Sequence, residues 1–323
     1  MKAAIHTKFG PPEVIQIRNI EKPVHGNKEL LIRVYAATFN RTDCANVSAK
    51  PWFMLFTQGL IRPKHPVSGT DFAGIVETVG KDVTGFKPGD RIFGFDDSGL
   101  QSHAEFMTYS ADNALAVMPA DVSFAEAAAS LEGAHYAYNF ITKVQLQKGQ
   151  RAMVNGATGA IGSAMVQLLK YYGLGIAATC GTDHADLVKN LGAGLVLDYT
   201  RDDFTRIDEQ FDYVFDCVGK STFGKCKNIL KPQGIYISSE MGPGAQNMYL
   251  PLFTAMGRGR KIKSPIPLNR MRTIRLMKKL IEEGHFNAVI EKTYTLDETA
   301  NAYAHAASGQ KIGHVVIRLA DEK

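Results

Sequence analysis

The chain has 323 residues, 45% of them apolar and 21% charged. That composition excludes a disordered tail or a disulfide-stapled miniprotein, and the length suits two domains better than one core. The net charge of +5 fits small anionic ligands and argues against a dedicated nucleic-acid binder. The four cysteines, Cys44, Cys180, Cys217 and Cys226, form no CxxC pair or close cluster. Neither a secreted disulfide framework nor a structural zinc knuckle is expected, and a cytoplasmic protein with reduced thiols is. The opening MKAAIHTKFGPPEV is broken by Pro11, Pro12 and Glu13 before any signal-length apolar core forms, so export is not expected. No run of about 20 apolar residues marks a membrane span.

From Met1 to about Val117, short apolar runs such as LLIRVYAATF, GIVETVG, DRIFGF and AEFMTYS alternate with Gly and Pro. This pattern predicts a compact β unit. The segment from Cys44 to Pro66 has no strand period and carries Trp52, Phe53 and Phe56, which either cover the β core or form an aromatic lid that stacks on a flat ligand. After Pro119 the period changes to helix, with Asp121 or Ser123 as caps. Strands and helices then alternate from RAMVNGA to GIYISS, which predicts a parallel doubly wound sheet. A cationic amphipathic helix, NRMRTIRLMKKLIEEG, turns Met271, Ile274, Met277 and Ile281 inward, and GHVVIRL returns to the β unit. The expected division is 1–120 as the first part of the β domain, 121–265 as an inserted α/β domain, and 266–323 as the return.

The segment Asn155-Gly156-Ala157-Thr158-Gly159-Ala160-Ile161-Gly162 stands between an apolar strand and an apolar helix. Glycines there let backbone approach a pyrophosphate and leave helix N-terminal amides aimed at it. The spacing is GxxGxxG, with Ala157 where the plain GxGxxG fingerprint has its second glycine. The strand–turn–helix context makes dinucleotide binding the leading reading over a purely structural turn. A site preferring NAD needs a carboxylate at the end of the second strand. That end falls at Cys180 or Gly181, and Gly181-Thr182 leaves room for a 2′-phosphate, with His184 near and Tyr199 able to offer a hydroxyl. NADPH is therefore the expected cofactor, although Asp183 stands close enough to leave NADH open.

Five segments in order, AATFNRTD (36–43), GTDFAGIVETVGKDVTGFKPGDRIFG (69–94), VNGATGAIG (154–162), LGA…LDY (191–199) and FDYVFDCVG (211–219), resemble the medium-chain dehydrogenase/reductase superfamily. The similarity points to its zinc-independent, quinone-oxidoreductase-like branch and covers essentially the whole length. It implies a GroES-like β-barrel catalytic domain, a Rossmann domain with a doubly wound parallel sheet for NADP(H), a cleft between them, and a homodimer. Zinc-dependent relatives carry a cysteine where this chain has Asn40 and a His-Glu pair where it has Thr70-Asp71, and the four-cysteine lobe is missing. No metal is therefore expected. Without a Lewis acid, hydride transfer to a quinone or an α,β-unsaturated carbonyl is the chemistry implied.

The resemblance assigns Gly156, Thr158, Gly159, Ala160, Ile161 and Gly162 to the pyrophosphate turn. It places Gly181, Thr182 and Tyr199 at the 2′-phosphate, and Cys217, Val218, Gly219 and Ser238 along the ribose and nicotinamide. Asn40 matches the polar group near the reacting centre, and Asp43 holds its loop. Where relatives usually carry GxTA, this chain reads Gly133-Ala134-His135-Tyr136. His135 either donates a hydrogen bond to a substrate oxygen or packs in the interdomain seam, and His103 faces the same choice.

Two rival functions stay open on sequence. One is an enoyl-thioester reductase with Arg258, Arg260, Lys261 and Lys263 meeting coenzyme A phosphates. The other is a non-catalytic NADPH sensor or RNA-binding relative using the nine Lys and Arg residues between Met256 and Lys279. The expected partners are a small-molecule acceptor and a second copy of the chain, with no membrane or nucleic acid.

Overall fold

The computed structural model describes residues 1–52, 54–265 and 269–322; Phe53 of the aromatic segment lies outside them. The chain forms two compact units, the first from Met1–Glu132 and the segment from Asn269 onward, the second beginning at Gly133. The first unit opens with β1 (Lys2–Ile5), β2 (Gln16–Asn19), β3 (Glu29–Phe39), α1 (Arg41–Ser48), α2 (Met54–Gln58), β4 (Asp71–Val79), β5 (Arg91–Phe95), β6 (Phe106–Ser110), β7 (Leu115–Val117) and α3 (Phe124–Ala129). Helix α4 (Glu132–Ile141) carries the chain into the second unit. There follow β8 (Arg151–Asn155), α5 (Ala160–Tyr171), β9 (Gly175–Cys180), α6 (Ala185–Leu191), β10 (Leu195–Asp198), β11 (Phe211–Asp216), α7 (Phe223–Cys226), β12 (Leu230–Ser238), α8 (Gln246–Ala255) and β13 (Lys261–Lys263). The return consists of α9 (Arg270–Glu282), β14 (Ile290–Thr295), α10 (Thr299–Ala307) and β15 (His314–Arg318).

In the first unit β1 and β2 form a small ribbon, and the main sheet has the order β14-β15-β3-β4-β5-β7, with β6 also on β3. Strand β3 is its axis. The first half of β3 pairs with β6, its second half with β15, and β4 runs along its other edge, all antiparallel. A strand paired on both edges needs apolar residues on both faces, and the LLIRVYAATF run supplies them. Leu30, Ile32 and Val34 pack with Phe72, Val76 and Ile92, while Phe39 packs with Val47, Tyr303 and Val315. Each such side chain is worth about 1.5–3 kcal/mol when fully buried. The pairing of β3 with β4 sets Ala36 opposite Ala73, which brings the end of β3 beside the start of β4.

The first unit extends to Glu132 rather than stopping at the expected residue 120. Ser123 caps α3 reciprocally with Glu126, and Phe124 stacks on Tyr35 of β3 at 4.4 Å between ring centroids, so α3 stays with the β sheet. In α9 the buried set is Thr273, Ile274, Met277 and Leu280. Met271 and Ile281 are only half-buried, so the buried stripe is rotated from the expected one toward Thr273 and Leu280.

The second unit is a six-stranded, fully parallel sheet in the order β10-β9-β8-β11-β12-β13. Counted within the unit this is strand order 3-2-1-4-5-6, the doubly wound arrangement, whose strand order reverses between the first and fourth strands. Those two are β8 and β11. Asp216 sits opposite Asn155 where they end. Met153, Phe211, Val214, Tyr236 and Ile262 form its core.

Candidate active site

In the second unit, the glycine-rich turn fills the step from β8 to α5. Gly156 has φ +81°, and a Cβ there would fall 2.3 Å from Val218 Cγ1. A Cβ on Gly162 would stand 2.0 Å from the Gly156 carbonyl oxygen. Only glycine satisfies both positions. Gly159 caps α5 with extended backbone and no side-chain cap, so the first amides of a mostly buried twelve-residue helix are left for an anion. These features fit a pyrophosphate. Thr158, Gly159 and Ile161 are half-buried at the turn, and Ala160 is buried as the first residue of the helix.

A buried polar network beneath the turn escaped sequence reading. The Gly156 amide donates to Thr179 Oγ1 at 2.9 Å, and the Thr179 hydroxyl donates to Asn155 Oδ1 at 2.7 Å. Asn155 Nδ2 donates to Asp216 Oδ1 at 2.9 Å, while Asp216 Oδ2 accepts from the Ser221 amide at 2.9 Å and from the Tyr236 hydroxyl at 3.0 Å. The network ties together β8, β9, β11 and β12 at their carboxyl ends, the edge of the sheet where such folds bind ligands. Cys217 and Ser238 are buried there, and Val218 and Gly219 are half-buried. Polar residues ending three strands were the available signal.

At the end of β9, Gly181 begins a 3-10 turn over Thr182–His184. A Cβ on Gly181 would lie 3.4 Å from the Tyr199 hydroxyl, so these two predicted residues do meet. Thr182 donates its hydroxyl to Asp198 Oδ2 at 2.5 Å, and Arg201 stands 3.6 Å from the same oxygen. Hydrogen bonds from Thr182 and Thr200, with the Arg201 charge, hold the Asp198 carboxyl below its usual range. Asp198 ends the third strand of the unit, not the second, and sequence reading passed over it. His184 is half-buried at the start of α6. His135, fully buried in α4, meets the Tyr136 ring edge-on at 5.6 Å.

In the first unit, Asn40 follows β3 and caps α1. Its side chain accepts from the Asp43 amide at 2.9 Å, and Asp43 accepts from the Asn40 amide at 3.0 Å. Asn40 Nδ2 donates to Thr70 Oγ1 at 2.8 Å. Beside it, Thr38 gives Asp71 both its amide, at 2.6 Å, and its hydroxyl, at 2.5 Å. Burial drives the Asp71 carboxyl up to about 8 against these bonds, and burial followed by the nearby Asp71 charge raises Asp43 well above the usual range. His103 is saturated: Nε2 donates to the Thr38 carbonyl at 2.9 Å, Nδ1 accepts from Ser68 at 2.8 Å, and the ring stacks on Phe39. Burial lowers its pKa to about 4, so it stays neutral and structural.

Two more members of this buried group were not foreseen. Glu132, 4% exposed, accepts the Thr42 hydroxyl at 2.5 Å. Lys311, whose Nζ donates to the Gly313 carbonyl at 2.5 Å, is pulled below the usual lysine range by burial. An acid inside the apolar run AAASLEGA was the available signal for Glu132. The two residues expected to be catalytic thus lie in different units, Asn40 in the first and His135 in the second.

The cationic stretch is also divided between the units. In the second, Arg260 donates to the Leu230 carbonyl at 2.7 Å and Lys263 to the Lys143 carbonyl at 2.5 Å, while Arg258 is exposed. In the first, Arg270 pairs with Asp96 and Asp97. No helix among the described residues is long and apolar enough to cross a membrane.

Residues 26–118 match the Alcohol dehydrogenase GroES-like domain family, and residues 191–317 match the family described as Zinc-binding dehydrogenase. The chain is 29% identical to 2-methylene-furan-3-one reductase of Solanum lycopersicum, over 98% of this chain and 79% of that protein. It is 26% identical, with the same coverage, to the chloroplastic NADPH-dependent alkenal/one oxidoreductase of Arabidopsis thaliana. Among solved structures, the quinone oxidoreductase of Coxiella burnetii superposes with a TM-score of 0.86 at 24% identity, covering 99% of both chains. With the GroES-like and doubly wound units in place, this chain belongs to the quinone-oxidoreductase-like branch of the medium-chain dehydrogenase/reductase superfamily.

Proposed function

We propose that this protein is an NADPH-dependent oxidoreductase that reduces α,β-unsaturated carbonyl compounds and quinones without a metal. The observation that carries the reading is the full-length similarity to two reductases of conjugated carbonyls, one of them named as NADPH-dependent. A quinone is itself a conjugated dicarbonyl, so one chemistry covers both acceptor classes. Bound at the glycine turn, NADPH supplies the hydride. The chain's own part is to hold it. The α5 amides and Gly156, Gly159 and Gly162 receive the pyrophosphate, Gly181, Thr182, His184 and Tyr199 take the 2′-phosphate, and Cys217, Val218, Gly219 and Ser238 line the ribose and nicotinamide. Asn40 and His135 are the polar groups we assign to the acceptor.

The metal-free reading rests on donor chemistry. Asn40, Thr70 and Asp71 stand at the positions where zinc-dependent relatives carry their ligands; Asn40 donates to Thr70, and Asp71 accepts from Thr38. An amide and a hydroxyl are poor zinc ligands beside thiolate and imidazole. Four free cysteines suit a cytoplasmic location. Strand β13, at one edge of the parallel sheet, and the exposed Leu252 and Phe253 of α8 support a homodimer formed through that edge.

The deciding experiment follows NADPH and NADH oxidation against a panel of enones and quinones, with and without a chelator. Chelator-resistant turnover that prefers NADPH is expected. Tight NADPH binding with no turnover on any acceptor overturns the proposal in favour of a sensor.

A further inference from the structure

In the first unit, the chain that leaves β1 and the loop that follows α2 enclose a recess of about 540 Å³. Its lining includes His6, Thr7 and Lys8 from the one segment and Ile61, Arg62 and Pro66 from the other. The volume lies within the range of small-molecule sites, about 300–1,000 Å³. Two cations line this recess and no carboxylate does. Among the described residues, neither the Lys8 nor the Arg62 side chain has a hydrogen bond or an ion pair within the protein, whereas in the same unit Lys2 pairs with Asp297 and Arg270 with Asp96 and Asp97. Residues 1–12 and 44–70 contain no Asp or Glu, so neither segment carries a counter-charge of its own. Like charges gathered in one concave site draw an anion from solution.

The backbone holds both cationic segments in place. Gly59, at the end of α2, donates its amide to the Leu55 carbonyl at 2.9 Å and has φ +122°, and a Cβ on it would stand 2.1 Å from the Arg62 carbonyl oxygen. The Lys64 amide donates to the Gln58 carbonyl at 2.8 Å. The loop therefore turns tightly around Arg62, at a position only glycine allows. On the side of Lys8, the His6 amide donates to the Pro66 carbonyl at 2.8 Å and Ile5 bridges Val67, which ties the two segments together. Two residues beyond Lys8, Gly10 donates to the Val47 carbonyl at 3.1 Å and accepts the Tyr303 hydroxyl at 2.9 Å. A site whose backbone is already fixed loses less entropy when a ligand arrives.

We infer that this recess binds a phosphate that carries an apolar substituent, with Arg62 and Lys8 on the phosphate and Ile61 and Pro66 against the substituent. A phosphate has more oxygens than a carboxylate and carries up to two charges, so it can meet a guanidinium fork and an ammonium at once. Thr7 adds a hydroxyl donor. His6 adds no charge, because burial lowers its pKa against a hydrogen bond with the Pro66 backbone, which leaves the ring neutral at pH 7. Its Nδ1 is buried and has no partner among the described residues, a polar atom in the wall that a protonated phosphate oxygen suits. Ile61 is 87% exposed and offers an alkyl group apolar surface to cover. Two sources share this chemistry, a soluble organic phosphate and the headgroup of an anionic phospholipid. The recess belongs to the first unit and the glycine turn to the second, so the inference does not rest on the reductase reading.

The test uses the full chain saturated with NADPH, which occupies the phosphate positions assigned to the second unit, and follows hexyl phosphate and inorganic phosphate by calorimetry. Hexyl phosphate should bind at least about tenfold more tightly than inorganic phosphate. Lys8→Gln and Arg62→Gln should each weaken it about tenfold, the loss expected for one charge-assisted hydrogen bond, and Arg62→Lys should recover only part of that. Ile61→Ser should weaken hexyl phosphate and leave inorganic phosphate unchanged. All three side chains are exposed, so the variants should keep the wild-type Tm and NADPH affinity. Sedimentation with phosphatidylcholine vesicles that contain or lack phosphatidic acid separates the two sources. Binding that needs both phosphatidic acid and Arg62 assigns the site to a lipid headgroup, and hexyl phosphate binding without vesicle binding assigns it to a soluble phosphate. No binding of hexyl phosphate, an affinity equal to that for inorganic phosphate, or binding that survives both Gln substitutions overturns the site.

Discussion

Val218 lies over Gly156 so closely that its Cγ1 would be 2.3 Å from any Cβ placed there. The contact joins the turn after β8 to the turn after β11, the two strands at the point where the strand order reverses. Gly156→Ala meets both this clash and a φ of +81°, and should destabilise the protein by about 1–3 kcal/mol. Val218→Ala in the same chain should relieve the clash with the valine methyls but not the backbone strain. Thermal unfolding with and without NADPH checks this. A Gly156→Ala protein with wild-type Tm and NADPH affinity would mean that the turn is looser than its geometry indicates.

The burial of Asp71 beside Thr38 sets a pH dependence of stability. Burial lifts the Asp71 carboxyl to about 8 in the folded chain, whereas the unfolded chain releases that proton near 4. The folded state therefore holds the proton more tightly. Its contribution is complete below about pH 4 and is lost as pH rises through about 8, with a slope of up to about 1.4 kcal/mol per pH unit. Asp43 and Glu132 are shifted in the same direction, so Asp71→Asn should flatten the slope without removing it. Urea midpoints at pH 5 and pH 8 measure the difference, and an unchanged slope would show that Asp71 is ionised in the folded protein.

The meeting of Gly181 with Tyr199 offers a test of cofactor choice. Gly181 has an ordinary φ of −78° and a Cβ there stands 3.4 Å from the Tyr199 hydroxyl, so a side chain fits after a small shift of the ring. Gly181→Asp places a carboxylate at the end of the second strand, where it can accept from a ribose and repel a 2′-phosphate. NADPH affinity should fall at least about tenfold, or about 1.4 kcal/mol, while NADH affinity rises. Fluorescence titration with both nucleotides reads the ratio, and a variant that still prefers NADPH would place the 2′-phosphate elsewhere.

Much of the second unit was legible because local patterns decide it. Apolar strands, glycines at a turn that has no room for Cβ atoms, and helices between them leave one parallel topology. Gly181 and Tyr199 could be paired from the same pattern, because each follows a strand end in adjacent β9 and β10. The polar interior was not legible. Asn155, Thr179 and Asp216 come together only when three strand ends align, and Glu132 reaches Thr42 across ninety positions of chain. A buried carboxyl looks the same in sequence as a solvated one; its partners and its pKa come from the fold. The aromatic segment shows the same limit, since Trp52 and Phe56 prove to be exposed and in edge contact at 5.9 Å, a fact that composition does not carry.

The edge of the parallel sheet carries the last prediction. Among the described residues strand β13 is paired with β12 on one side only, and an unpaired strand edge beside apolar surface invites a second chain. Helix α8, packed beside it, exposes Leu252 at 72% and Phe253 at 74%, side chains that a monomer would leave in water. Two copies related by a two-fold axis could pair their β13 edges and cover both α8 surfaces at once, because a two-fold contact uses the same patch on each subunit. Leu252→Asp with Phe253→Asp should then shift the protein from dimer to monomer in light scattering at micromolar concentration. Both side chains are exposed, so the folded subunit should be nearly as stable as before. A wild type that is monomeric at that concentration, or a double variant that remains dimeric, would remove this edge from the assembly.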